Sequence, residues 1–289
     1  MLSEFFNAVF NSPLPFLRYA LALGIAGSVA FGVVGTWVVT RRLTALAGAI
    51  SHAALGGIGL AAYLANAHGM AWATPVTGAL AAAVLAAVII AFAGIYAPQR
   101  EDAIINSIWA VGMAAGLLFL AVTPGYVDLE GYLFGNILLV TGRDLLTVLA
   151  LDAAVIIVAA LMYEPIMLFS FDPAFARMRG LNTNFIYFVM LLVTAVTIVL
   201  LVNLVGIILV IALLILPVSA ADQLVRRWGG MMVVGALLCM AYTSGGLALS
   251  YVWDCPPGPV IVLGAAMGYI LISGIKYLYI KVRGNRRSG

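Results

Sequence analysis

The chain has 289 residues, of which 65% are hydrophobic and 9% are charged, and its formal net charge is +3. Charged residues make up about a quarter of an ordinary soluble domain, so this composition excludes a soluble enzyme head or a nucleotide-binding cassette. The positive charge lies in short loops between apolar stretches, where it indicates membrane topology rather than a nucleic-acid partner.

Apolar stretches of about 20 residues, the length needed to cross a lipid bilayer, follow one another along the chain. Nine spans are predicted, at residues 16–39, 47–65, 74–97, 103–122, 145–163, 183–202, 204–221, 230–252 and 258–277. A shorter apolar piece, Tyr132–Val140, is half a span and predicts a re-entrant or interfacial segment. The sequence therefore predicts an all-α, polytopic transmembrane helical bundle, with residues 1–289 forming one transmembrane domain.

Lysine and arginine are distributed unevenly between the two sets of loops. One set holds twelve of the fourteen basic residues, and the other holds only Arg18 and Arg143. Basic loops stay in the cytoplasm, so we expect the N-terminus outside and the C-terminus inside. The outer face then carries His68, Asp128, Glu130, Asp144 and Asp254. An acidic outer mouth would concentrate cations, although ordinary loop polarity explains any one of these residues equally well.

His52 lies inside the apolar stretch Ala45–Leu64 and is one of only two histidines in the chain. An ionisable side chain at membrane depth is costly and marks a functional site by default. Imidazole is also the commonest metal ligand in proteins, so His52 is the first candidate metal ligand. The alternative is that Ser51 and His52 only hold neighbouring helices together by hydrogen bonds.

Asp152 is the only carboxylate well inside a predicted span. It either supplies negative charge to a metal site or lies near the outer end of its helix, in contact with water. Together with His52, Glu130 and Asp254 it completes the set of candidate metal ligands.

The segment Phe171–Leu181 is too short and too charged to span the membrane. Asp172 followed by Pro173 is typical of a helix N-cap with proline at the first helical position, and Gly180 suits a C-terminal stop. We predict a short amphipathic helix at residues 171–181 on the cytoplasmic surface, either as a simple connector or as a docking element. The residues expected to make a docking contact are Asp172, Phe175, Arg177, Met178 and Gly180.

Three blocks of sequence resemble the permease subunits of bacterial ABC importers for zinc, manganese and iron. Gly35–Gly57 is similar to the arginine-bearing turn and Ser/Ala-His-Ala helix of that family. Asn203–Ala221 resembles its helix with Val-Gly and Pro-Ala motifs, and Ser244–Pro259 contains a loop similar to its Asp-x-Pro-x-Gly-Pro pattern. Tyr132–Gly135 is a further family-like fragment, and Asp172–Gly180 stands where the family has its coupling helix.

The resemblance implies a homodimeric permease of the bacterial inner membrane that imports a divalent transition-metal ion. Its partners would be ATP-hydrolysing subunits, docked on the 171–181 helix, and an extracytoplasmic metal-binding protein that delivers the ion. The chain itself would bind no cofactor and would perform no bond chemistry.

One position departs from the family pattern. Relatives usually carry an aspartate four residues before the histidine, on the same face of the helix, but this chain has Gly48 there. A site with one imidazole and few carboxylates favours zinc over manganese, with manganese and iron as alternatives. Asp152 is the candidate for supplying the missing charge.

A transporter of another class is the main alternative. In a self-sufficient, proton-coupled secondary transporter, His52 and Asp152 would form the proton relay. The sequence has no evident internal repeat to support this alternative, which also gives the 171–181 helix no purpose.

Overall fold

The computed structural model describes residues 16–125, 129–135 and 137–285, and everything below refers to that part of the chain. The side chains of residues 129, 130, 134 and 282–285 lie outside the description as well. Three residues used in the predictions above lie outside the described part of the chain. They are Asp128, which was assigned to the outer face, and Arg286 and Arg287, which belong to the twelve basic residues of the other set of loops.

The predicted all-α fold is confirmed. The α-helices, in chain order, are α1 (Phe16–Thr40), α2 (Thr44–His68), α3 (Pro75–Tyr96), α4 (Glu101–Val122), α5 (Leu129–Phe134), α6 (Gly142–Leu161), α7 (Tyr163–Phe171), α8 (Pro173–Met178), α9 (Thr183–Val205), α10 (Ile207–Leu224), α11 (Trp228–Trp253) and α12 (Pro257–Asn285). Short 3-10 turns occupy Pro98–Arg100 and Ile137–Leu139. Nine helices of the described chain are long and apolar enough to cross a membrane, and they match the nine predicted spans.

Consecutive spans alternate in direction, so their connections collect at two ends of the bundle. One end holds the turns at residues 41–43, 97–100 and 225–227, together with α7 and α8. We call it the basic end, because the arginines of these connections lie there. The connections at residues 69–74, 123–141 and 254–256 lie at the opposite end.

Helix α2 is the most enclosed of the spans. Of its most apolar 18-residue window 78% is buried, whereas the corresponding share is 17% for α4 and for α12. Small residues allow this close packing, because they let helix backbones approach one another. A Cβ atom added to Gly57 would overlap the carbonyl oxygen of Gly78 in α3, so no larger residue fits there.

The predicted half-span is irregular and does not cross the bundle. It begins with the single short turn of α5, breaks at Gly135, whose φ is +68°, and continues as the 3-10 turn Ile137–Leu139. Gly135 packs directly against Val205 and Gly206, where a φ of +87° at Gly206 separates α9 from α10. Both positions need glycine, since a side chain is strained at positive φ.

Helix α7 was not predicted from the sequence. The predicted span ended at residue 163 and the predicted docking helix began at residue 171, whereas Tyr163–Phe171 forms a helix of its own. It buries Ile166, Phe169 and Ser170. Nine residues are too few for an apolar period to stand out from a run that is hydrophobic almost throughout.

Candidate functional site

His52 lies in α2, eight residues after the first residue of the helix, which places it about 12 Å along the axis from the basic end. Its Nδ1 atom is 2.9 Å from the carbonyl oxygen of Gly48, and the side chain is half-buried. Because a carbonyl oxygen only accepts hydrogen bonds, this contact places the proton of a neutral imidazole on Nδ1. The lone pair then lies on Nε2, the arrangement that a metal-binding histidine needs.

Trp109 of α4 packs against both His52 and Gly48. The His52 and Trp109 ring centroids are 5.2 Å apart, with the ring planes inclined by 31°. A Cβ atom built on Gly48 would have three carbon atoms of the Trp109 indole within 2.7 Å. The indole therefore occupies the space into which a side chain at position 48 would project.

Glycines fix the position of Trp109 relative to His52. Gly56 faces Gly112, and Gly59 faces Gly116, with added Cβ atoms on Gly56 and Gly59 at 3.0 and 2.7 Å from the facing carbonyl oxygens. We call these four residues the glycine seam. It holds the backbones of α2 and α4 in contact. The His52 and Trp109 rings, which lie next to the seam on the side of the basic end, therefore have little freedom to separate.

The alternative interpretation of Ser51 and His52 requires hydrogen bonds from these side chains to neighbouring helices, and the described part of the chain shows none. The His52 bond stays within α2, and the Oγ atom of Ser51 has no hydrogen-bond partner in the described part of the chain. His52 meets α4 through its ring stack with Trp109 instead.

Asp152 is buried in α6, where its Oδ1 atom accepts a hydrogen bond from the backbone N–H of Ala30 in α1, at 3.1 Å. The carboxylate thus faces α1, whereas His52 faces α4. Within one chain, the structure does not bring these two candidate ligands together. Across the described residues, no three His, Cys, Asp or Glu side chains are close enough to hold a metal ion.

The two remaining candidate ligands lie at the opposite end of the bundle. Glu130 belongs to α5, and its side chain is outside the described residues. Asp254 is exposed and ends α11 in the left-handed conformation, with φ +52°. Asp254 is therefore the C-cap of α11 and not the N-cap of α12, which begins three residues later, at Pro257.

The predicted docking helix is present as α8, shorter than expected. Asp172 is its N-cap: the carboxylate accepts hydrogen bonds from the backbone N–H groups of Ala174 and Phe175, at 2.9 and 3.0 Å. Gly180, with φ +79°, ends the turn as predicted. The helix is thus defined at both ends by the residues that the sequence singled out.

The side chains of α8 divide into an inner and an outer set. Met178 is 80% exposed and Phe175 36% exposed. Ala176 is buried, and the exposed Arg177 ties α8 to the start of α9, with Nε donating to the Thr183 hydroxyl at 3.1 Å. Only Phe175 and Met178 of the predicted contact residues therefore present an apolar surface to a partner.

A polar cluster beside α7 was missed in the sequence. The Tyr187 hydroxyl donates to the Glu101 carboxylate, which joins α9 to α4. Arg41 stacks over the Phe169 ring, with its guanidinium carbon 4.6 Å from the centroid. These residues lie far apart in sequence, and the only signal for them was the charge of Arg41 and Glu101 next to predicted spans.

Comparison with known proteins identifies the family. The ABC 3 transport family matches residues 13–276. An uncharacterized membrane protein of Synechocystis is 36% identical over 257 residues, or 89% of each chain. The manganese transport system membrane protein MntC of Listeria monocytogenes is 32% identical over 256 residues, again 89% of each.

A solved structure is similar to this chain over almost its whole length. PsaBC from Streptococcus pneumoniae, in complex with Fab, is 27% identical in sequence and superposes with a TM-score of 0.83, over 98% of this chain and 100% of that one. The family matches eight of the nine spans in full and most of the ninth, together with the histidine within α2 and the short capped helix at the basic end. This chain therefore belongs to the ABC 3 transport family.

Proposed function

We propose that the chain is the permease subunit of an ATP-driven importer of a divalent transition-metal ion. Two copies would form the translocation path, with separate ATP-hydrolysing subunits at the basic end and an extracytoplasmic metal-binding protein at the opposite end. The family membership and the manganese transport function in the name of MntC support a metal as the cargo. We assign ATP hydrolysis to a separate partner, which is supported by a described chain that is almost entirely helix and short connection.

The observation that carries this proposal is the state of His52. Its Nδ1 atom is hydrogen-bonded to the Gly48 carbonyl oxygen, so the lone pair of Nε2 is available to bind a metal ion. This atom lies about a third of the way along α2. One imidazole binds a metal only weakly, and a passage site must release its ion. A homodimer would contribute a second His52 to the same path.

Zinc is the proposed cargo, and manganese is the second candidate. Gly48 and the Trp109 indole take the place of the carboxylate that relatives usually carry, which removes an oxygen ligand. Carboxylate oxygen suits manganese, whereas imidazole suits zinc. Manganese is favoured by a different observation, the name of the MntC relative.

Coupling to the ATP-hydrolysing subunit is assigned to α8. Short apolar helix faces dock into grooves of partner proteins, and Met178 and Phe175 form such a face. Arg177 would pass a displacement of α8 on to α9, since it is bonded to Thr183. The basic end is then cytoplasmic, in agreement with the distribution of positive charge.

The proton-coupled secondary transporter is not favoured. The family match speaks for an ABC permease, and Asp152 faces α1 rather than His52, so the two groups do not form a relay within one chain.

Replacing each histidine in turn tests the proposal. We expect His52→Ala to abolish most ATP-driven uptake of zinc by proteoliposomes that contain the permease, its ATPase and the delivery protein. His68→Ala is the matched control, because it removes the other imidazole of α2, at the exposed opposite end of the same helix. Normal uptake by His52→Ala, with correct assembly, would show that His52 is not a passage ligand.

A further inference from the structure

A cavity of about 630 Å³ opens at the basic end, and His52 is not among the residues that line it. It lies between the α1–α2 turn, the end of α7 and the turn that joins α10 to α11. Four arginines line it, Arg41, Arg42, Arg226 and Arg227, against the single carboxylate of Asp222. The lining therefore carries a clear excess of positive charge.

Two residues of this lining each contain a buried polar atom that lacks a partner. The Nε atom of Arg41 and the Oγ atom of Ser170 are buried, and neither has a hydrogen-bond partner within the described chain. Ser170 is only 5% exposed. Several other buried helical hydroxyls bond back to the preceding turn, as Ser28 does to Gly24 at 2.6 Å, whereas those of Ser51 and Thr197, like that of Ser170, do not. A buried polar atom without a partner costs free energy, and Ser170 lines the cavity, so its hydroxyl is a candidate hydrogen-bond donor to a molecule bound there.

The walls of the cavity are fixed in place. Trp228 Nε1 donates to the Thr40 hydroxyl at 3.2 Å, which joins the start of α11 to the end of α1. The Arg41 guanidinium is held over the Phe169 ring of α7. The helix ends around the cavity and the Arg41 side chain are therefore held in place, while Arg42, Arg226 and Arg227 are exposed at its rim.

The chemistry of the lining suits a phosphate group. Arginine presents a planar fork of donors that matches phosphate oxygens, and a hydroxyl adds one further donor. The cavity also has apolar lining from Val39, Val225 and Met231, and it lies at the ends of membrane spans, the depth of lipid head groups. Basic pockets between helix ends on the positively charged side of a membrane protein bind anionic lipid head groups.

We propose that this cavity binds the phosphate group of an anionic phospholipid. The bound phosphate would bridge the α1–α2 turn and the α10–α11 turn, beside the α7–α8 segment. This lipid site does not depend on metal passage at His52, so an experiment on lipid binding tests it separately from the proposed transport function.

The test measures lipid binding to the purified full-length chain. Native mass spectrometry in detergent would count the phosphatidylglycerol molecules retained, with phosphatidylcholine as the zwitterionic comparison. We expect one phosphatidylglycerol to be retained preferentially, and Arg226→Gln with Arg227→Gln to weaken its apparent affinity by about tenfold or more, since hydrogen bonds to charged groups are the strong ones.

Arg100→Gln with Arg179→Gln is the matched control, because it removes the same charge from the same end but outside the cavity. Ser170→Ala is a second test variant. It deletes an oxygen that has no partner within the described chain, so folding without lipid should be unchanged while the affinity for phosphatidylglycerol falls.

Three results would overturn the proposal. Equal weakening by the control pair would mean general surface charge, and equal retention of phosphatidylcholine would mean no preference for an anion. Binding of inorganic phosphate alone, with no gain from phosphatidylglycerol, would assign the cavity to a free anion instead of a lipid.

Discussion

Replacing Gly48 by aspartate tests whether Trp109 fills the space beside Gly48, where the resemblance to metal-import permeases implies a carboxylate. Three indole carbons would lie within 2.7 Å of the new Cβ atom, whereas carbon atoms in contact normally stay about 3.5–4.0 Å apart. Forcing extra atoms into such a space costs about 1–3 kcal/mol of stability. Gly48→Asp alone is therefore expected to destabilise the protein and not to create a usable ligand.

Removing the indole should reverse that result. In a Trp109→Ala background the space beside Gly48 is open, so the aspartate should cost little further stability. The two substitutions should then show a favourable interaction free energy of about 0.5–3 kcal/mol, the range found for residues in contact. The carboxylate would lie one helical turn from His52 on the same face, and we expect the double variant to retain manganese better than the unmodified protein.

The free energies come from a double-mutant cycle, with unfolding followed by denaturant titration in mixed micelles for the four proteins. Bound manganese and zinc are counted by elemental analysis after dialysis. Gly59→Ala is the packing control, because it adds a Cβ atom to the same helix at the glycine seam, where removal of Trp109 should not relieve it. If Gly48→Asp costs the same with and without Trp109, the indole does not occupy that position.

Three further predictions follow from the other candidate residues. Asp152→Asn keeps an acceptor for the Ala30 N–H and should leave stability nearly unchanged, whereas Asp152→Leu should lose about 1 kcal/mol in the same titration; equal stability of both variants would contradict a structural role for this bond. Phe175→Glu with Met178→Glu should release the ATP-hydrolysing subunit during co-purification while the permease stays folded, and unchanged co-purification would show that the contact lies elsewhere. Asp254→Asn should slow uptake at limiting metal concentration, with recovery at high concentration, because it removes charge from an exposed loop at the end opposite the basic end, where we propose that the ion arrives; normal uptake at limiting metal would rule out a cation-attracting role.

The parts of the fold that depend on local composition could be predicted from the sequence. Apolar runs bounded by charges placed nine spans, and the cap at Asp172 with the stop at Gly180 located α8 to within a few residues. These features depend on neighbouring residues alone, through bilayer length and the unpaired groups at helix ends.

The contacts between distant helices could not be predicted. Nothing in the sequence around Trp109 shows that its ring covers Gly48, because the contact depends on the glycine seam between α2 and α4. Likewise the charge of Asp152 was visible, but the helix it faces was not. The sequence thus singled out individual residues as unusual, while their contact partners could be found only in the packed bundle.

Uptake of radiolabelled zinc and manganese by vesicles tests the proposed function most directly. Vesicles loaded with ATP and containing the permease, with or without its co-expressed ATPase, are supplied with metal-loaded delivery protein from outside. We predict uptake only when both the ATPase and ATP are present, with zinc taken up at least as fast as manganese. Uptake by the permease alone, driven by a pH gradient, would contradict the assignment as an ABC import permease.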